Sequence, residues 1–232
     1  MGMILEVITG IGVFLAGIIA RLGIVLVVML ALALPILAIA VAIRGIRALR
    51  LWAQGFRPAG GVRFHTGLLY AAGHTWVRPE GDRLRVGLDD LAEKILPWAV
   101  AVALPALGQK VKAGEPVVTI SAGGREARVA APVSGTVVML NASVAREPTL
   151  LKSDSYGRGW MYSVEPEDRS WRKLLTGEEA RSWLQGEASR LARFYEERLG
   201  YATADGGELR AEPPVLMGEE EWKEVTRAFL RT

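Results

Sequence analysis

The chain contains no cysteine and only two histidines, His65 and His74, among its 232 residues. Without cysteine it can form no disulfide, no thiolate metal site, no cysteine-ligated iron–sulfur cluster and no thioether-linked haem. Two histidines also leave few imidazoles for a metal site, so we expect no bound metal. Lysine and arginine number 28 against 25 aspartate and glutamate, and this near balance does not favour nucleic acid as a partner.

The sequence also lacks the common catalytic motifs. It has no G-x-S-x-G, no phosphate loop, no H-E-x-x-H and no G-x-G-x-x-G between a strand and a helix. Asp89 and Asp90 are adjacent acids, but they stand at the start of a helical pattern, where aspartate caps a helix and compensates its dipole. We therefore expect no catalytic residue and a protein that is not an enzyme.

Charge is missing from one long run near the amino terminus. From Leu22 to Ile43 there is no charged or hydrogen-bonding side chain. At about 1.5 Å per helical residue this run matches a hydrocarbon core of roughly 30 Å, which predicts a transmembrane helix that tolerates Pro35. The alternatives are a buried core helix and a cleaved signal peptide, although no basic residue precedes Arg21 as a signal peptide requires.

Five arginines follow the apolar run, at positions 44, 47, 50, 57 and 63. The positive-inside rule places such a cluster on the cytoplasmic side. We therefore expect a single-pass protein of the inner (cytoplasmic) membrane, with its soluble domain in the cytoplasm.

Residues 3–20 are apolar too, and they either cross the membrane or lie along it. If they continue the main helix, one face carries a stripe of polar and small residues, namely Glu6, Gly10, Val13, Gly17 and Arg21. Such a stripe is typical of packing between membrane helices. It predicts integral-membrane protein subunits as partners of the amino-terminal helix.

Short β-rich runs separated by Gly, Pro and Asp follow from residue 75 to residue 164, which predicts a small β-sandwich or barrel. One helical pattern, at 88–100, interrupts them. The preceding segment, 51–69, mixes Gly, Pro and Arg without sustained periodicity, so we expect a linker there. The expected organisation is a membrane anchor at 1–50, this linker, a β-rich domain at 70–185 and a helical extension at 186–232.

Six phrases carry a family resemblance. They are Y-x-x-x-H-T-W-V-R (70–78), V-G-L-D-D-L-A (86–92), L-P-x-L-G-x-K-V-K-x-G-E-P (104–116), A-P-V-S-G-T-V (131–137), N-A-S (141–143) and S-Y-G-R-G-W (155–160). In this order and spacing they resemble the H protein of the glycine cleavage system, over about half the chain. The resemblance implies a lipoyl-like hammerhead or barrel-sandwich domain that catalyses nothing itself, in which His74 and Trp76 are structural.

The chain departs from the family at the residue that bears its cofactor. In H proteins a lysine at a hairpin tip, in a phrase of the form E-S-x-K-A, carries lipoate. Alignment without a gap puts that lysine at Gly124, and no lysine occurs from Ala113 to Leu151. The resemblance therefore implies an unlipoylated chain without a cofactor. Arg125 and Arg128 give the hairpin a basic edge. This edge binds an acidic cytoplasmic partner, binds anionic lipid headgroups, or is an ordinary solvated surface.

Two amphipathic helices are expected at the carboxyl-terminal end. The first has an apolar stripe from Trp183 to Leu199, and the second has one made of Trp222, Val225, Phe229 and Leu230. The second stripe packs either on this chain's own domain or on another subunit.

These features favour one function and leave others open. The favoured hypothesis is a membrane-anchored, unlipoylated H-like accessory subunit that acts as a scaffold or assembly element of a larger membrane complex, with respiratory or redox complexes among the candidates. The alternative is a membrane-tethered acyl or aminomethyl carrier related to the glycine cleavage system. Efflux-pump adaptors also carry lipoyl-like motifs after an anchor, but a long coiled coil separates their two halves, whereas only residues 120–129 do so here.

Overall fold

The chain is described by a computed structural model that covers residues 2–96, 101–199 and 217–230. It divides into two compact units, Met1–Gln54 and Gly55–Thr232. The first unit is one helix, α1 (Gly2–Ala53), which continues through Pro35. Its stretch Arg21–Ala53, 33 residues long, is apolar and long enough to cross a bilayer, and none of its most apolar window is buried by the rest of the chain.

Helix α1 therefore includes residues 3–20, and they continue into the main apolar helix without a break. The expected stripe is only partly described, because the side chains of Glu6 and Val13 lie outside the described residues. Gly10 and Gly17 are exposed within the chain, and a Cβ atom at either position would meet nothing within 4 Å.

The second unit is built mainly from antiparallel strands. In its described part the strand orders are β1-β2, β3-β4-β5-β11-β10-β7 and β6-β8-β9. The strands are β1 (Phe56–Ala59), β2 (Val62–His65), β3 (Leu69–Ala71), β4 (Thr75–Glu80), β5 (Arg83–Leu88), β6 (Ala101–Ala103), β7 (Lys110–Val111), β8 (Pro116–Ala122), β9 (Arg125–Ala130), β10 (Gly135–Leu140) and β11 (Tyr162–Pro166).

Short helices connect the strands and two longer ones follow them. They are α2 (Asp90–Ile95), α3 (Ala142–Arg146), α4 (Leu150–Ser153), a 3-10 turn (Ser170–Lys173), α5 (Gly177–Leu199) and α6 (Glu219–Leu230). Asp89 caps α2 as predicted, because its side chain accepts hydrogen bonds from the amides of Leu91 and Ala92. The expected fold class is confirmed: an apolar amino-terminal helix, a mainly-β domain and carboxyl-terminal helices.

The segment interpreted as a linker is instead partly a β-hairpin. Strands β1 and β2 pair so that Ala59 lies opposite Val62, which leaves Gly60 and Gly61 as a two-residue turn with φ of 61° and 82°. Positive φ at both positions is the requirement of a type I′ turn, which glycine meets without strain. The hairpin buries Val62 and Phe64 and packs on α5. The interpretation of 51–69 as a linker is therefore corrected.

The core lies between the sheets and the helices that cover them. Trp76 is fully buried and lies directly over Gly87, where a Cβ atom would come within 2.3 Å of the indole. The indole Nε1 donates to the carbonyl of Ser155 at 3.1 Å, so its polar atom is satisfied. Trp76 therefore has a structural role, as the sequence predicts.

The carboxyl-terminal helix packs on this chain. The apolar stripe of α6 is buried, with Trp222, Val225, Phe229 and Leu230 each at most 4% exposed. Helix α6 contacts β9 and α2. The stripe therefore packs on the chain's own domain, which was one of the two alternatives.

Candidate functional site

The hairpin tip that aligns with the lipoyl attachment site is made of two glycines. Strands β8 and β9 pair up to Ala122 and Arg125, which leaves Gly123 and Gly124 as the turn. Their φ angles are 60° and 79°, the type I′ combination again. Both glycines are exposed, and a Cβ atom at either would meet nothing within 4 Å. The tip is open to solvent and carries no side chain.

One flank of this hairpin is covered by α6. Strand β9 is an edge of its sheet, and the indole Nε1 of Trp222 donates to the carbonyl of Glu126 at 3.1 Å. The guanidinium of Arg125 lies 5.8 Å from the centre of the Trp222 ring and donates to the carbonyl of Met217. An edge strand exposes unpaired backbone groups to other chains, and α6 reduces that exposure here.

The expected basic edge is consequently split. Arg125 turns toward α6, while Arg128 is exposed on the same strand. Sequence reasoning missed the first contact because α6 is almost a hundred residues further along the chain. The signal available in the sequence was the tryptophan within the charged segment E-E-E-W-K (219–223).

His74 is the centre of a buried charged cluster. The side chain is fully buried at a positive φ of 56°. Its Nδ1 lies 3.0 Å from Asp89 Oδ2, its Nε2 lies 3.5 Å from Glu187 Oε2, and its ring stacks on Trp183 at 5.0 Å. Burial lowers the pKa of His74, but the charge and hydrogen bond of Asp89, together with the nearby charge of Glu187, outweigh burial and raise the pKa to about 9.

This cluster joins the β-rich domain to its helical extension. Asp89 is the cap of α2, whereas Glu187 belongs to α5 and is itself paired with Arg190 at 2.6 Å. The guanidinium of Arg190 in turn lies 4.3 Å from the centre of the Phe229 ring on α6. The sequence indicated a structural His74, and the structure adds the two carboxylates that keep it charged at neutral pH.

The second acid of the pair, Asp90, serves another ion pair. It accepts hydrogen bonds from the backbone amide and the Nε of Arg63 at 2.8 and 2.6 Å, and Arg63 also contacts Glu93 at 2.9 Å. Burial and the charge of Asp90 raise the pKa of Glu93 to about 7, although Arg63 acts in the opposite direction. Arg63, expected in the basic cluster after the membrane helix, therefore holds the first hairpin against α2.

A cleft opens at the base of the β8–β9 hairpin. It has a volume of about 200 Å³ and is lined mostly by small residues of the β3–β4 turn and of the segment after β9, including Gly73, Thr75, Ala130 and Ala131. The hydroxyl of Thr75 is buried and has no hydrogen-bond partner within the described part of the chain. The cleft has room for a small group.

Within residues 2–96, 101–199 and 217–230, no group of three or more His, Asp or Glu side chains is arranged to hold a metal ion. His65 and His74 serve separate contacts, since the Nδ1 of His65 accepts from the amide of Gly67 at 3.1 Å.

Comparison with known proteins identifies relatives of the β-rich domain. The family model "Glycine cleavage H-protein" matches residues 68–187. A "Glycine cleavage system H protein" of Geobacillus thermodenitrificans is 37% identical over 113 residues, which are 48% of this chain and 89% of the relative. A "Probable glycine cleavage system H protein" of Aeropyrum pernix is 38% identical over 122 residues, 51% of this chain and 85% of the relative.

A solved structure was also matched. It is the crystal structure of a glycine cleavage system H protein from Mycobacterium marinum, with 31% identity and a TM-score of 0.47, covering 53% of this chain and 99% of that one.

Proposed function

The chain belongs to the glycine cleavage H-protein family, and we propose that it is a membrane-anchored member that lacks the lipoyl attachment site. In this proposal the protein is a non-catalytic accessory subunit. It serves as a scaffold or assembly element of a larger membrane complex, with respiratory and redox complexes as the candidates.

The observation that carries this proposal is Gly124. The gapless alignment puts the family's lipoyl-bearing lysine at this position, at the open tip of the β8–β9 hairpin. A carrier needs a long side chain there, and glycine has none. The tip is otherwise built as a regular hairpin, which supports retention of the fold after loss of the attachment residue.

The anchoring part of the proposal rests on α1. The exposed apolar run Leu22–Ile43 within the candidate span Arg21–Ala53 favours an apolar environment, and the arginines after Ile43 favour the cytoplasmic side of the inner membrane. We propose integral-membrane subunits as partners of α1. For a cytoplasmic partner, the exposed residues within 123–128 are the two glycines of the tip, Glu126 and Arg128, whereas Arg125 is half-buried against α6.

A second function is favoured by the cleft at the hairpin base. Its volume of about 200 Å³ and its small lining residues leave room for a small group. A membrane-tethered acyl or aminomethyl carrier would need such a space, and it would also need an attachment point other than Gly124.

In vitro lipoylation separates the two functions. The full chain is incubated with lipoate, ATP and a lipoate ligase, and its intact mass is compared with that of a Ser121→Glu, Gly124→Lys variant that rebuilds the family phrase. We expect an unchanged mass for the natural chain and the addition of one lipoyl group to the variant. Lipoylation of the natural chain would overturn the proposal in favour of the carrier.

A further inference from the structure

Three arginines form a collar on α1 directly after its apolar run. Arg44, Arg47 and Arg50 are exposed, and they make no ion pair with any residue that the structure describes. No acidic residue occurs between Glu6 and Glu80 in the sequence. The collar therefore has no counter-charge from its own segment, unlike Arg63, which is paired with Asp90.

Because the three arginines are spaced three residues apart, the collar lies on one side of the helix. Residues three apart on an α-helix are separated by about 60° around the axis, so the three guanidinium groups lie within an arc of roughly 120°. They also lie within about 9 Å along the axis, close to the depth of one headgroup layer. Because α1 continues as a regular helix to Ala53, this arrangement is fixed beyond the apolar run.

An exposed tryptophan follows the collar on the same helix. Trp52 is 59% exposed. Tryptophan is enriched where a membrane helix meets water, and arginine binds phosphate oxygens through two parallel N–H donors. The collar and the indole together match the chemistry of an interface that contains phosphodiester groups.

We propose that Arg44, Arg47 and Arg50 bind the phosphate groups of anionic phospholipids in one leaflet. This inference rests on the proposed membrane anchoring of α1 and adds a ligand to it. The collar then selects anionic over zwitterionic lipid, and it fixes the depth at which the helix leaves the bilayer.

Native mass spectrometry of the full chain in mild detergent tests the proposal. Phosphatidylglycerol and phosphatidylcholine are titrated separately, and bound lipid is counted. We expect the affinity for phosphatidylglycerol to fall about fivefold for Arg47→Gln and about a hundredfold for the triple glutamine variant of the collar, with phosphatidylcholine unaffected. The matched control removes three exposed cations of the second unit, by Lys112→Gln, Arg169→Gln and Lys173→Gln, and should bind phosphatidylglycerol as the natural chain does.

Several results would overturn the proposal. Equal losses in the collar variant and the control would mean that only net charge matters. Loss of a co-purifying acidic subunit from the collar variant, with lipid binding unchanged, would assign the collar to a protein partner. Alkaline carbonate extraction of the natural chain is run in parallel: release from membranes would overturn the anchoring and the lipid site together, whereas retention without a preference for anionic lipid would overturn the lipid site alone.

Discussion

His74 shows how one residue can join two parts of the chain. It occupies a positive φ that non-glycine residues seldom adopt, and its ring lies between Asp89 of the domain and Glu187 of the extension. A buried imidazolium between two carboxylates is stabilising only while it stays charged. Removal of its proton would leave the carboxylates without their shared cation.

The first prediction follows from the raised pKa of His74. A folded-state pKa of about 9, above the ordinary value of 6.5, contributes stability that is fully present below pH 6.5 and is lost as pH rises through 9. We expect the free energy of unfolding to fall by on the order of 3 kcal/mol across this range. Urea unfolding of the full chain in detergent, followed by tryptophan fluorescence, measures it.

The control for this prediction is His74→Asn, which tolerates positive φ and cannot titrate. This variant should be less stable than the natural chain at pH 6, because both carboxylates lose their interaction with the charged imidazole. It should also lose much of the decline between pH 6.5 and 9. An unchanged decline in the variant would show that other groups cause it.

Two glycines give a second prediction at the residue scale. Gly87→Ala puts a Cβ atom 2.3 Å from the buried Trp76 indole and should destabilise the fold by about 3 kcal/mol. Gly186→Ala, on the exposed face of α5 with open space around it, should stabilise by about 1 kcal/mol. Both are measured by the same unfolding experiment. Equal effects of the two substitutions would contradict the described contact.

At the scale of elements, α6 is attached to the β8–β9 hairpin mainly through Trp222. The indole is 4% exposed and hydrogen-bonded to β9, and the stripe behind it is buried. Truncation of a buried tryptophan costs about 3–5 kcal/mol of stability. A helix as short as α6 is marginally stable by itself and depends on such packing to stay folded. Helix α6 should therefore leave the domain when this side chain is removed.

Hydrogen–deuterium exchange tests this attachment. In Trp222→Ala we expect faster exchange throughout α6 and along β9, with β4 and β5 unchanged. Lys223→Ala removes an exposed neighbour on the same helix and serves as the matched control. Unchanged protection of α6 in Trp222→Ala would show that other contacts hold the helix.

The sequence predicted those elements whose signal is local. Short β-rich runs separated by Gly, Pro and Asp predicted seven of the eight described strands between residues 75 and 166, all except the two-residue β7, and the Asp89 cap predicted the start of α2. The β1–β2 hairpin was missed because its strands have four residues each and follow a long apolar run. The pair Gly60-Gly61, flanked by alternating residues, was the signal available for it.

The site was predicted in part for the same reason. The tip position at Gly124 followed from local phrases, whereas the contacts of Arg125 and His74 depend on residues 92 and 113 positions further along the chain. The periodicity of α6 identified an apolar stripe, but periodicity does not specify the surface that covers it. Only the packed chain shows that β9 and α2 do so.

At the scale of the whole molecule, the two units differ in where apolar side chains are buried. The buried core cluster lies entirely after Gln54, while the exposed apolar helix lies before it. A chain limited to residues 55–232 should therefore be soluble and unfold at the same urea concentration as the full chain. Six of the seven tryptophans lie in this part, so fluorescence follows the unfolding of both the full and the shortened chain.

The matching experiment is alkaline carbonate extraction of cell membranes. The full chain should stay in the membrane pellet and residues 55–232 in the supernatant. Aggregation of the shorter chain, or a much lower unfolding midpoint, would mean that α1 contributes to the folded core.

The most direct test of the central claim is to isolate the full chain from its native membrane in mild detergent and to record intact mass spectra of it and of every stoichiometric partner. We expect an unmodified chain together with integral-membrane subunits, whose cofactors would identify the complex. A mass increase of one lipoyl group, or recovery with glycine-cleavage enzymes alone, would contradict the scaffold function and establish the protein as a carrier.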